Sequence, residues 1–98
     1  MLQVVQGDVF EFGVDFCNLE PMLIERVVFT SKKLGIQETA VFENGEYRVR
    51  IEGERTRLFP AGFIGYDLTV VLIDGERLTV RNNEKIEVLR KSNEVQNE

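Results

Sequence analysis

The stretch Val9-Phe10-Glu11-Phe12-Gly13-Val14-Asp15-Phe16 alternates apolar and polar side chains with a period of two. In an extended chain successive side chains point to opposite faces, so Phe10, Phe12, Val14 and Phe16 share one face. Glu11, Gly13 and Asp15 take the other. A helix would scatter the four apolar residues around its axis. The stretch therefore reads as a strand with one dry and one wet side.

The same scheme recurs outward from it. Tyr47-Arg48-Val49-Arg50-Ile51 places Tyr47, Val49 and Ile51 inward, and Tyr66-Asp67-Leu68-Thr69-Val70-Val71-Leu72 places Tyr66, Leu68, Val70 and Leu72 inward. In this last strand Val71 and Ile73 are apolar on the opposite face too, which predicts that it is covered on both sides, the outer one by a partner. Leu23 to Thr30, Thr39 to Phe42, Arg77 to Val80 and Lys85 to Leu89 are shorter strand candidates, and Leu2 to Val5 is expected at a sheet edge.

Turn chemistry agrees with this spacing. Asn44-Gly45 and Asp74-Gly75 are dipeptides that supply positive φ in two-residue hairpin turns. Gly7-Asp8 separates the first two strands. Asn18 to Met22, which includes Pro21, and Ser31 to Gly35 read as loops. Pro60 and Gly62 interrupt the chain before the long strand, and Glu52 to Leu58 is the one place for a helical turn.

Strands with turn signals every ~8–12 residues predict an all-β fold, an immunoglobulin-like antiparallel β-sandwich of seven to eight short strands. The 98 residues make one domain. It is expected over residues 1–90, with a polar, frayed tail over 91–98.

Composition bounds the chemistry. The chain is 43% hydrophobic and 30% charged, within the range of folded soluble domains. A net charge of −5 opposes a general role on nucleic acid or on an anionic membrane. No apolar run approaches the ~20 residues that span a bilayer. Met1-Leu2-Gln3 has neither the positive start nor the apolar run of a signal peptide, and Cys17 is the single cysteine. Both fit synthesis in a reducing cytoplasm.

Histidine is absent, which removes the usual general base near neutral pH and the commonest metal ligand. No Ser-His-Asp or Cys-His arrangement can form within one chain. Cys17 ends the aromatic strand as a small, half-buried residue more readily than as a reactive thiol. The acids Asp8, Asp15, Asp67 and Asp74 alternate with apolar residues or sit in turns, as on a solvated sheet face, and no calcium-loop motif occurs. The residues imply no enzyme, no cofactor and no metal site.

The arginines are more informative. Arg48 and Arg50 share the outward face of one strand, Arg55 and Arg57 follow shortly after, and Arg77 and Arg81 are expected outward beyond the Asp74-Gly75 turn. They fit a partner-docking patch. They also fit cross-strand ion pairs, in which Glu11 and Asp15 face Arg48 and Arg50. Carbohydrate binding calls for exposed rings, and Phe42, Phe59 and Phe63 are the candidates. Tyr66, inward yet carrying a hydroxyl, should reach a backbone partner, as in the tyrosine corners of other sandwiches.

Three stretches taken together resemble a known family. They are Gln6-Gly7-Asp8-Val9-Phe10-Glu11-Phe12, Glu43-Asn44-Gly45-Glu46-Tyr47-Arg48-Val49 and Leu58-Phe59-Pro60-Ala61-Gly62-Phe63-Ile64-Gly65-Tyr66-Asp67-Leu68-Thr69-Val70, followed by Asp74-Gly75. In order and spacing they resemble the immunoglobulin-like N-terminal domain of phage baseplate upper proteins, and small prophage tail or baseplate proteins with the same sandwich. The resemblance runs from Gln3 to about Val88. It implies a non-catalytic, virion-associated module of a tail, baseplate or head-tail junction. Its partners would be other phage structural proteins or further copies of itself.

The chain departs from the long baseplate proteins in having no C-terminal stalk or receptor-binding region, so a stand-alone assembly subunit is expected. The interface is expected at Val71 and Ile73 with Arg48, Arg50, Arg77 and Arg81. A carbohydrate- or cell-surface-binding module is the alternative.

Overall fold

The computed structural model describes residues 1–91. Among them the chain forms eight strands: β1 (Leu2–Val5), β2 (Phe10–Val14), β3 (Ile24–Ser31), β4 (Ile36–Thr39), β5 (Val41–Glu43), β6 (Glu46–Ile51), β7 (Gly62–Leu72) and β8 (Arg77–Leu89). One sheet runs β1-β8-β7-β3-β4 and the other β2-β6-β5. A 3-10 turn at Pro21–Leu23 leads into β3, and a single helical turn, α1 (Gly53–Thr56), sits where the only helical signal fell.

The alternating strands form the core as their period requires. Phe10, Phe12 and Val14 of β2, Tyr47, Val49 and Ile51 of β6, and Tyr66, Leu68 and Val70 of β7 are all buried. They meet Val27 and Phe29 of β3 and Ile86 and Val88 of β8. Four rings knit the layers together: Phe29 stands 5.1 Å from Tyr66 and 5.8 Å from Phe12, and Phe10 stands 5.4 Å from Phe12. Tilted arrangements at these distances suit the ring quadrupoles.

Strand order identifies the sandwich. β2, β6 and β5 lie as strands B, E and D of an immunoglobulin domain, and β3, β7 and β8 as C, F and G, with β4 added beside C. β1 departs from the antiparallel expectation, because it pairs parallel to β8 from Leu2↔Ile86 to Val5↔Leu89. At Gly7, whose φ is +90°, the chain then turns away to the opposite sheet. The Thr56 hydroxyl, on α1, pins this corner by accepting from the Gly7 amide (3.1 Å) and donating to the Asp8 carbonyl (2.7 Å).

Several boundaries differ from the sequence expectation for identifiable reasons. β2 stops at Val14, and Phe16 beyond it is half-buried against Tyr47, 5.8 Å away. Thr39 to Phe42 is not one strand. The chain changes sheet at Ala40, a small buried residue whose amide donates to the Val27 carbonyl, so β4 and β5 belong to different layers. Asn44-Gly45 forms the expected turn with both φ values positive. Asp74-Gly75 instead closes a three-residue loop: the Gly75 amide donates to the Leu72 carbonyl and the Leu72 amide to the Glu76 carbonyl. Arg77–Val80 and Lys85–Leu89 are two ends of one strand, β8, which is bulged between them. Lys91, at the end of the described residues, lies 3.3 Å from the Asp8 carboxylate. The remainder of the expected 91–98 tail lies outside the described residues.

Candidate functional site

The two sheets are closed on one side by the chain crossing at Ala40. On the other side they meet along a seam between β2 and β8, each of which is a strand with an unpaired stretch of edge. Among the described residues β2 pairs with β6 alone. β8 pairs with β1 only from Ile86 to Leu89, so Arg77 to Glu84 has no strand on its outer side among the described residues. β1 is too short to cover that length.

Arg81 fills the seam. Tyr66 pairs with Glu84 and Leu68 with Arg81, so three steps along β8 answer two along β7; then Leu68 to Thr69 is answered by Arg81 to Thr79. These bulges turn Arg81 from its expected outward position to the side of Leu68. Its Nη1 donates to the Tyr66 hydroxyl at 2.9 Å, and the guanidinium carbon lies 5.9 Å from the centroid of the Phe12 ring. Tyr66 thus finds a side-chain partner where a backbone one was expected. An open depression of about 340 Å³ beside Arg81 is lined by Val14, Asp15 and Phe16 on the β2 side, and by Leu68 and Val80 on the other.

The other expected interface residues are not gathered at one place. Arg48 and Arg50 lie on the outer face of the smaller sheet and are engaged there. Glu11 takes Arg48 at 3.3 Å and Arg50 at 3.4 Å, Glu46 takes Arg48, and Glu52 takes Arg50 at 2.8 Å. The Glu11 hydrogen bond is the first cause raising the Arg48 guanidinium above its ordinary value, and the Glu52 hydrogen bond does the same for Arg50. Cross-strand pairing therefore describes these two arginines. Asp15, expected as a second acid for them, makes no ion pair among the described residues. Arg55 meets Glu38 on β4.

Val71 and Ile73 also separate. Val71 is only 4% exposed, whereas Ile73 is 64% exposed. The register flanks Val71 with Arg26 on β3 and Arg77 on β8, long side chains of the kind whose stems cover apolar neighbours. Val71 is thus already covered without a partner. Arg77 is exposed at the start of the free β8 edge. Sequence reasoning missed Leu78 and Val80, which are exposed on that same edge.

The three candidate rings do not form a platform. Phe59 is buried in the core, while Phe42 lies on β5 and Phe63 on β7, in different sheets. Phe42 leans on Tyr47 at 4.8 Å. Cys17 is exposed, beyond the end of β2 rather than half-buried in it. Among the described residues no three His, Cys, Asp or Glu side chains converge as a metal site would require, and no helix is long and apolar enough to cross a membrane.

Among solved structures, the chain is similar to a fibronectin(III)-like module of Clostridium thermocellum CbhA. The TM-score is 0.62 at 15% identity, covering 90% of this chain and 85% of that one. The fold is an immunoglobulin-like β-sandwich. At this identity the likeness speaks for the fold alone. No family model and no curated protein matches the chain.

Proposed function

We propose that the chain is a non-catalytic structural module that works by protein–protein contact along the free β8 edge. Following the resemblance in its sequence, the assembly would be a phage or prophage tail, baseplate or head-tail junction, reached from the cytoplasm. The observation that carries the reading is the coincidence of a strand edge, Arg77 to Glu84, that is unpaired among the described residues, with exposed apolar side chains at Ile73, Leu78 and Val80. Unpaired backbone groups beside apolar side chains are what a second chain uses to add itself to a sheet. A carbohydrate-binding role is the weaker reading, since Phe42, Phe59 and Phe63 do not combine into a stacking surface.

Size-exclusion chromatography with light scattering, alone and with the structural proteins encoded beside this chain, tests the reading. Association is expected, and Leu78→Glu or Val80→Glu should abolish it while leaving the fold intact. A strict monomer at high concentration that recovers none of those proteins would overturn it.

A further inference from the structure

We infer that the seam between β2 and β8 receives an extended, acidic peptide segment of a partner protein, anchored by a carboxylate on Arg81. The inference rests on the contact role proposed for the β8 edge and names the chemistry of what binds there.

Arg81 is the reason. Arg26, Arg48, Arg50 and Arg55 each meet a carboxylate within the chain. Arg57, Arg77, Arg81 and Arg90 meet none among the described residues, and of these Arg81 alone is half-buried; its hydrogen bond goes to a neutral hydroxyl, and its guanidinium carbon lies over a neutral ring. A guanidinium carries five N–H donors. Among the described residues one is used here, and the planar group is held in place by Tyr66 and Phe12. Asp15 and Glu84 line the depressions on either side of it, yet neither comes within ion-pair distance. A fixed, partly desolvated guanidinium with free donors is a ready site for a bidentate carboxylate, the strongest partner it can take.

The shape of the edge sets the rest of the ligand. Only Arg77 to about Val80 is regular enough for strand pairing before the bulges begin. So short a ladder gives few backbone hydrogen bonds, each of modest net worth. A side-chain anchor must therefore supply much of the selectivity. Leu78 and Val80 ask for an apolar residue close to the acid. A second copy of this chain is the poorer occupant. Pairing two β8 edges would offer only the short regular stretch of each, Arg77 to about Val80, before the bulges of both copies break the ladder.

Selection of a displayed library of random linear twelve-residue peptides on the immobilised full chain tests this. Enriched peptides should carry Asp or Glu next to an apolar residue. With the isotope-labelled wild-type chain they should shift amide resonances of Val14 to Phe16 and Val80 to Glu84. Changing the acid to its amide should weaken binding about tenfold, as should Arg81→Gln, with Arg81→Lys between. Absence of enrichment, acid-independent binding, or shifts mapping elsewhere would each overturn the inference, and the wild-type mapping does not depend on any variant folding. If a natural partner binds insensitively to Arg81→Gln but is lost on Leu78→Glu, the acidic anchor falls and the contact role stands. Insensitivity to both removes both.

Discussion

The Arg81 guanidinium donates a 2.9 Å hydrogen bond to the Tyr66 hydroxyl while lying over the Phe12 ring, so one β8 side chain ties both sheets together across their open seam. Tyr66 is buried and its ring packs between Phe29 and Phe12. Removing only its hydroxyl, in Tyr66→Phe, keeps that packing. The lost bond to a charged donor should cost about 1.5–3 kcal/mol, nearer the lower figure because Arg81 is only half-buried. For a domain of this size that is a fall of several degrees in Tm, about 4–8 °C per kcal/mol, readable by calorimetry. An unchanged Tm would mean that Arg81 is held by the ring alone.

The corner between β1 and β2 depends on one buried hydroxyl. Thr56 is fully buried and satisfies both the Gly7 amide and the Asp8 carbonyl. Thr56→Val keeps the volume and leaves those groups without their partner, which should cost about 1–3 kcal/mol in urea unfolding. Thr56→Ser, which retains the hydroxyl, should keep most of the stability. The neighbouring Gly53 is constrained from the same side, because a Cβ there would collide with the Gly7 carbonyl oxygen. Gly53→Ala should therefore destabilise the fold despite the higher helix propensity of alanine, and a more stable Gly53→Ala would show that the corner yields.

These two sites show what the sequence could and could not disclose. β2, β6 and β7 were legible because each has one buried face, and a period of two then leaves a single way to orient every side chain. Asn44-Gly45 was legible because few residues accept positive φ. Arg81 was not. From Arg77 an unbroken alternation carries it outward with Thr79, and nothing in Thr79-Val80-Arg81 announces the extra residue that reverses it. The crossing at Ala40 was hidden for a similar reason. A small apolar residue between two short runs looks like the middle of one strand, and only packing against Val27 reveals a change of sheet. The burial of Val71 was invisible because it depends on which long side chains flank it across two neighbouring strands.

Alkaline pH should weaken the fold through Tyr47. Burial raises its phenol above the ordinary value of about 10. The folded state then holds the proton to higher pH than the unfolded chain does. Stability from this group is complete below about pH 10 and declines as pH rises from there through the folded value. Unfolding free energy measured from pH 8 to pH 11 should fall across the upper end of that range. Tyr47→Phe should make the decline shallower, and an equal slope in the variant would rule out Tyr47 as the group responsible.

Asn83 should prove to be the residue that aims Arg81. Its φ is +51°, a left-handed conformation rare outside glycine and asparagine, and its backbone N–H donates to the Asp67 carboxylate at 2.7 Å. Together these features hold the bulge opposite Asp67, where β8 runs one residue ahead of β7. Asn83→Gly keeps the conformation accessible and should be nearly neutral in thermal stability. Asn83→Val, with a branched Cβ in that region, should cost about 1–2 kcal/mol or force the bulge to move. If it moves, β8 slips by one residue there and Arg81 returns to the outer face, away from Tyr66. The two outcomes are separable by spectroscopy, since loss of the Arg81 side-chain contact would change the Tyr66 and Phe12 ring resonances. An Asn83→Val variant as stable as the wild type, with those resonances unchanged, would show that the seam is set by β7 rather than by the bulge.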